Sequence, residues 1–430
     1  MEITPTTRSF RQYLIFWSGQ LFSLFGSVVI QFVMIWWIER NYSNMLYLSL
    51  ASFFFVLPMV VLMPLGGVLG DRYNKRKLIF TVDFLQALVT FILILIFTFN
   101  LGSIWVIFIF IMIRSSFQAI HQPTVSSVAP SMVPKDKLSR INGVNFLFSG
   151  LIQLIGLPLG AMLYLIIPFN HIFWIDIGTF LISIIPLAII KIPRVREVDH
   201  FEKFNVKSFI KDLKEGFNVL RAVPGLLILL IECVFINFLL QPINVLLPYY
   251  IHEIHGGLEF EYSLISVLMN VGFIIGAGIT SFKKKWNKKI STIFMGIIII
   301  GIGYALLAFI PTGLFLIIGL IFFIVGIILP LINTIYQTIL QISVPQDKIG
   351  RVTSIDMTFS MMVTPIGTLI SGPIAIAISV QNLFLSSGII IIFIIGVLFL
   401  FTNVRYIKYE EEAQGEEIIE TKTEKVKEII

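Results

Sequence analysis

Twelve stretches of this chain stay apolar for about twenty residues or more, the length that carries an α-helix across the hydrocarbon of a bilayer. They fall near residues 12–38, 46–70, 78–99, 103–128, 141–166, 171–191, 223–251, 262–282, 290–310, 313–341, 351–377 and 382–403. Within lipid, backbone polar groups must be satisfied by the chain itself, so only helices and closed barrels can span. A barrel would show short alternating segments, whereas these runs are continuous. Composition agrees: 57% of residues are hydrophobic and 13% are charged, against about 25% charged in a soluble domain. A single cysteine, Cys233, excludes an intrachain disulfide. The expectation is an all-α membrane protein with twelve transmembrane helices. The first span is too long for a signal peptide and lacks a small-residue cleavage site, so it is expected to be retained.

Lys and Arg fix the expected orientation. Of the 31, Arg40 follows span one and Arg114 lies inside span four. All the others fall in the termini or in the loops after spans two, four, six, eight and ten. The positive-inside rule then puts both termini in the cytoplasm of a cell-membrane protein. The net charge of +6 expresses this asymmetry and suits anionic lipid headgroups; it is not a nucleic-acid footprint. In the middle loop Phe209, Ile210, Leu213, Phe217 and Leu220 recur at helical spacing among charges, the pattern of an amphipathic helix at the membrane surface. The tail from Glu410 has eight Glu and three Lys and is expected to be solvated.

The chain repeats itself. Val133-Pro134-Lys135-Asp136-Lys137-Leu138-Ser139-Arg140 recurs as Val344-Pro345-Gln346-Asp347-Lys348-Ile349-Gly350-Arg351, an offset of 211 residues. The same offset maps Phe148-Ser149 onto Phe359-Ser360, Gly156 onto Gly367 and Gly67 onto Gly278. The expected organisation is a six-helix half at 1–191, a cytoplasmic middle loop at 192–222, a second half at 223–404 and an acidic cytoplasmic tail at 405–430.

The loop Gly67-Val68-Leu69-Gly70-Asp71-Arg72-Tyr73-Asn74-Lys75-Arg76-Lys77 resembles the signature loop between spans two and three of the major facilitator superfamily. Arg114-Ser115-Ser116-Phe117-Gln118 resembles the Arg motif of its fourth span. Within that superfamily the chain looks most like the drug:proton antiporter branch that includes macrolide efflux proteins. The residues carrying that likeness are Phe117-Gln118-Ala119-Ile120-His121-Gln122-Pro123, the Val-Pro-Lys-Asp-Lys-Leu loop, and the run from Phe209 to Gly225. The resemblance implies the major facilitator fold and a latch role for Gly67, Gly70, Asp71, Arg72, Lys75 and Arg76 between the halves in the outward-facing state. The bland alternative is topology signalling alone, although a lone Asp adds nothing to that signal. Gly67 and Gly70 are expected to let span two approach a neighbour closely. Span five carries Gly156-Leu157-Pro158-Leu159-Gly160, which splits the Gly-Pro pair usual in antiporters of this family.

Arg114 is the sharpest single residue, because a cation near mid-membrane is expensive unless it is paired or functional. Asp83 is its nearest candidate partner. Gln118 and His121 follow on one helical face. Gln20, Ser27 and Gln31 in span one form a similar stripe. So do Asn142, Asn145, Ser149 and Gln153 in span five, Cys233, Asn237, Gln241 and Asn244 in span seven, and Asp356, Ser360 and Thr364 in span eleven. One stripe is an ordinary helix contact; stripes in both halves predict a shared central cavity. The substrate-cavity candidates are Gln20, Gln31, Arg114, Gln118, His121, Asn145, Gln153, Asn237 and Gln241.

Four acids lie in the spans: Asp83, Asp176, Glu232 and Asp356. Buried carboxyls exchange protons near neutral pH. Glu232, roughly 14 Å into span seven, is the first proton-coupling candidate, and Asp356, roughly 9 Å into span eleven, the second. Glu232 lies about 100° from the Cys233 stripe and can face a neighbouring helix. Asp83 and Asp176 are assigned structural roles. His252 and His255 beside Glu253 have metal-like spacing but read as a solvated loop, and Trp36-Trp37 as an interfacial aromatic anchor. No nucleotide-binding motif, hydrolytic triad, cofactor site or metal site is expected. The chain is read as a non-enzymatic, monomeric secondary transporter that exports amphipathic, drug- or macrolide-like compounds by alternating access. Its partners are a small-molecule substrate, protons as coupling ion and membrane lipid, with no nucleic acid. The alternatives are transport of a native metabolite such as a siderophore, or a non-transporting sensor on the same scaffold.

Overall fold

The computed structural model describes residues 7–190, 192, 217, 220–221, 223, 225–283, 286, 288–344 and 348–402. Among them are twelve helical spans, numbered here in chain order: Arg8–Tyr42, Met45–Gly70, Lys75–Thr98, Ile104–Met132, Asp136–Ile166, Phe169–Ile189, Leu226–Ile254, Glu259–Phe282, Lys289–Leu307, Phe315–Ser343, Ile355–Ile378 and Val380–Phe401. They match the twelve expected stretches one for one, and no strand occurs among the described residues. The acidic tail and nearly all of the expected middle-loop helix lie outside the described residues. Of that helix, Leu220 is fully buried and Phe217 is 40% exposed.

Short polar caps set several boundaries. The Asn44 side chain accepts the Leu46 N–H at 2.9 Å, and Asn74 accepts that of Lys77 at 3.3 Å, meeting donors that a helix start leaves open. Odd-numbered spans run from the end of the bundle that carries the termini, here the terminal end, toward the far end; even-numbered spans return. Many large apolar side chains point outward, with Phe282 89% exposed and Trp105 60% exposed. Lipid, not water, is the solvent such a surface fits.

The first six spans pack mainly on one another, and so do the last six. Span one lies on five and six, span two on four, and span three on four and six. Span eight lies on ten, nine on ten and twelve, and seven on eleven and twelve. Across the two groups, span two meets span eleven and span five meets span eight. The Gly372 N–H donates to Ser49 Oγ at 2.6 Å across the first of these contacts, and Phe146 packs on Phe273 across the second.

The close approach of span two differs from expectation by one residue. A Cβ on Gly66 would lie 2.5 Å from the Ala119 carbonyl and 2.8 Å from Ile120 Cα, so this glycine seats span two against span four. Gly70 continues the contact: a Cβ there would lie 3.2 Å from Thr124 Oγ1. A Cβ on Gly67, one residue around the helix, would meet no described atom of another element within 4 Å, and the same is true of its repeat mate Gly278. A turn of about 100° per residue puts neighbours in sequence on different faces.

Candidate functional site

Antiparallel pairing of spans three and four decides the partners of Arg114. Thr90 stands level with Arg114, and Asp83 lies seven residues, roughly 10 Å, nearer the terminal end. Asp83 therefore cannot reach the guanidinium. Instead Arg114 grips Asp176 of span six with both arms: Nη2 donates to Oδ1 at 2.7 Å, and Nη1 donates to Oδ2. Nη1 also reaches Thr90 Oγ1 at 3.0 Å, and Nη2 donates to Ser27 Oγ of span one at 3.0 Å. The bidentate fork suits a carboxylate, and one ion pair ties spans one, three, four and six together. Asp83 is paired with His121, Oδ1 to Nε2 at 2.9 Å. The expected Arg114–Asp83 pair is thus replaced by two pairs, and Asp176 takes the larger structural task.

The polar stripes of the first six spans converge on one chamber of about 480 Å³. Gln20, Gln118, His121, Asn145 and Gln153 all line it, together with Gln86, Gln122, Asn142, Ser149 and Asp83. Arg114 is 9% exposed and meets the chamber through Ser27, which lines it. Rim residues Gln122, Ser126 and Asn142 are exposed at the terminal end. Inside, both amide atoms of Gln20, Oδ1 of Asn145 and Oδ2 of Asp83 are buried without a hydrogen-bond partner among the described residues. A buried polar atom left this way costs about 1–3 kcal/mol, so these atoms are primed for water or ligand.

The other candidates lie elsewhere, and the expected single central cavity is divided. Gln31 and Gln241 face each other across the two groups in a pocket of about 150 Å³, with Asn244, Phe55 and Ile111. Asn237 belongs to a third cavity of about 90 Å³ enclosed by spans seven, nine and ten. Glu232 lines that third cavity, 2% exposed, and neither carboxyl oxygen has a described partner. Tyr336 lines the same cavity and donates its hydroxyl to Asp356 Oδ1 at 2.6 Å. One tyrosine therefore stands between the two coupling candidates. Cys233 and Asn237 line the same cavity, so the angular offset does not separate Glu232 from that stripe.

In the signature loop, the Lys75 ammonium is buried and donates to the Ser127 carbonyl at 2.9 Å. Arg76 Nη2 donates to the Ala188 carbonyl at the end of span six. Both contacts stay within the first six spans. The side chains of Asp71 and Arg72 lie outside the described residues, as does any contact they make.

The far end is shut, by residues that sequence reading placed at the surface. Span one runs on to Tyr42, so Glu39, taken as loop, is inside it and fully buried. Trp36 is not a lipid anchor: it is 0% exposed, stacks on Tyr262 of span eight at 5.5 Å, and donates its indole N–H to Glu259 Oε2 at 3.1 Å. Phe32 covers the other face of Tyr262 at 5.3 Å. Trp37 stacks on Phe169. Span seven ends in a wide π turn, Tyr250–Ile254, which carries His252 onto span one and His255 into the core. His255 is 5% exposed against the Tyr250 ring, and burial lowers its pKa below the usual imidazole value. Neither histidine sits in a solvated loop. Acids and aromatics in the last turn of an apolar run were the available signal.

This closure makes a prediction. In a Cys233→Ser background, Gln31→Cys lies five residues, roughly 7.5 Å, nearer the terminal end than Trp36 along span one, in the pocket between the two groups. Adding Trp36→Ala is expected to raise labelling of that thiol by an impermeant reagent from the far side about tenfold, the effect of losing roughly 1.4 kcal/mol of closure. Unchanged labelling would show that the stack does not hold the end shut.

Twelve apolar spans in two like-packed groups, a polar chamber open at one end and an opposite end sealed by aromatics define a membrane transporter, not an enzyme. The Major Facilitator Superfamily profile matches residues 16–364, and the chain belongs to that superfamily. Macrolide efflux protein A of Streptococcus pyogenes is 28% identical over 389 residues, covering 90% of this chain and 95% of that protein. The multidrug efflux pump Tap of Mycolicibacterium fortuitum is 22% identical over 360 residues, 82% of this chain and 86% of that pump. Among solved structures, the nucleoside transporter NupG superposes with a TM-score of 0.68 at 12% identity, covering 92% of this chain and 100% of that one; that likeness establishes the fold alone.

Proposed function

We propose that this transporter exports amphipathic or hydrophobic compounds, drug- or macrolide-like in character, by alternating access in exchange for protons. The observation that carries the reading is the carboxamide-lined chamber, open at the terminal end while the far end is shut. With both termini in the cytoplasm, as the distribution of Lys and Arg implies, this is an inward-facing arrangement ready to load from inside the cell. The efflux named for the relatives from Streptococcus and Mycolicibacterium supports the direction. The chamber's volume of about 480 Å³ falls in the ordinary range of small-molecule sites.

In this mechanism the halves 1–191 and 223–404 rock about the bound substrate as one monomer. Gln20, Gln118, His121, Asn145 and Gln153 receive the substrate first. Gln31, Gln241 and Asn237 meet it as the far end parts. Glu232 is the coupling acid: it takes a proton from the far side when the chain opens there, as substrate leaves, and gives that proton up to the terminal side when the next substrate loads. Tyr336 lets Asp356 share or substitute for that role. The signature loop, through Asp71 and Arg72, latches the halves when the chamber faces outward.

Efflux from energised cells tests this. Cells loaded with a panel of dyes and macrolides should extrude at least one, and a protonophore should stop it. Glu232→Gln, at equal membrane level, is expected to lower the rate at least tenfold. Survival of efflux in that variant would move coupling to Asp356. No efflux of any compound from folded protein would overturn the export reading.

A further inference from the structure

Closing the far end brings together three side chains that no sequence motif joins. Glu39 of span one and His252 and Glu253 of span seven each present a ligand atom, all within 4.8 Å of one another. His252 Nδ1 lies 3.1 Å from Glu39 Oε1 and 3.3 Å from Glu253 Oε1. A tetrahedral zinc ion with bonds of about 2.0–2.2 Å holds its ligand atoms roughly 3.4 Å apart. The histidine nitrogen therefore stands near the required spacing from each carboxylate oxygen before any ion arrives.

The charge balance points the same way. The Glu39 side chain is fully buried, and its Oε2 has no hydrogen-bond partner among the described residues. Glu253 is beside it, and Glu259 lies behind Trp36, which covers one of its oxygens. Facing these three acids, the described cation is Arg40, whose Nη1 lies 3.0 Å from His252 Nε2. A buried carboxylate with an idle oxygen beside a second acid is short of positive charge.

We propose that Glu39, His252 and Glu253 form a binding site for a zinc-like divalent transition cation, present only while the far end is closed. The Glu253 side chain, 39% exposed, gives the ion its way in from solvent. Binding moves the imidazole proton from Nδ1 to Nε2, so a neutral histidine releases none. The exposed Arg40 then leaves Nε2. Because one ligand comes from the first six spans and two from the last six, the ion binds the closed form better and holds it there. Zinc outside the cell would slow the transport cycle whatever the cargo, so the site stands independently of the export reading.

Purified protein titrated with Zn²⁺ in detergent, with Mg²⁺ as control, is the direct test. One saturable Zn²⁺ per chain is expected, with no response to Mg²⁺. Glu253→Gln, at a half-exposed surface position, should weaken binding at least about tenfold, and His252→Ala should abolish it. Zn²⁺ should also raise the thermal midpoint of the wild type and leave that of His252→Ala unmoved. Absence of saturable binding to folded wild-type protein overturns the proposal, as does binding that both variants retain.

Discussion

Asp176→Ala is expected to destabilise the folded chain by about 3–5 kcal/mol, the cost of leaving a buried charge without its partner. Among the described residues Arg114 has no second acid within reach. Asp83 is a helical level away and occupied by His121, and the remaining contacts of the guanidinium are the hydroxyls of Thr90 and Ser27. The carboxylate accepts both arms of the fork and the Thr90 hydroxyl as well, at 2.8 Å; without it Thr90 can turn to the Gln86 carbonyl at 3.0 Å, but the guanidinium keeps only neutral hydroxyls and its charge has no counter-charge. Asp176→Asn should cost less, because an amide oxygen still accepts one bond. The double variant Arg114→Met with Asp176→Leu should recover much of the loss, since apolar replacements of similar volume often match a buried ion pair. Thermal unfolding in detergent ranks the four proteins. A single variant as stable as the wild type would show the pair to be dispensable to the fold.

The second large effect lies where spans eight and ten touch backbone to backbone. A Cβ on Gly272 would meet the Phe323 carbonyl at 2.2 Å, one on Gly276 the Ile327 carbonyl at 2.2 Å, and one on Gly326 the Met269 carbonyl at 2.2 Å. Small residues four apart let membrane helices approach this closely, and Cα–H contacts to carbonyls replace side-chain packing there. The obstructing atoms are main chain, so no rotamer change relieves the clash. Gly326→Ala should reduce folded yield at least tenfold, and Gly326→Leu should remove it. Gly278→Ala, two residues beyond Gly276 and facing open space, should be neutral. Size-exclusion profiles of the three variants decide. A monodisperse Gly326→Leu protein would contradict the contact.

The spans were legible because each is a continuous apolar run, a signal that needs no knowledge of neighbours. The chamber wall was legible for a related reason. Asn145, Ser149 and Gln153 recur at fours, and a polar face inside a membrane has few uses. Pairing was not legible. Whether Arg114 meets Asp83 or Asp176 depends on the relative height of antiparallel spans, and a shift of one or two helical turns exchanges the answer. Glu39 was missed because the apolar run was taken to end at Ile38, four residues before the helix does. Trp36 was misplaced because an aromatic near a span end suits the lipid interface as well as a closed gate; only Tyr262 and Glu259, more than 200 residues away, tell the two apart. The division of the expected cavity into three follows from the far end being shut, a property of the conformation and not of any one helix.

The chamber wall has seven carboxamides: Gln20, Gln86, Gln118, Gln122, Asn142, Asn145 and Gln153. Each ends in a donor and an acceptor on a rotatable bond, and a half-turn exchanges them. Such a surface has no fixed polarity to impose. It can answer a hydroxyl, an ether, an amine or a carbonyl at nearly the same position by turning an amide over. On the proposed reading, in which this chamber receives the substrate, discrimination away from the Asp83–His121 pair would fall to bulk and greasy area, and chemically unlike molecules of one size would become equivalent guests. Substituting a single carboxamide should change the ranking among such guests more than it changes the total number admitted.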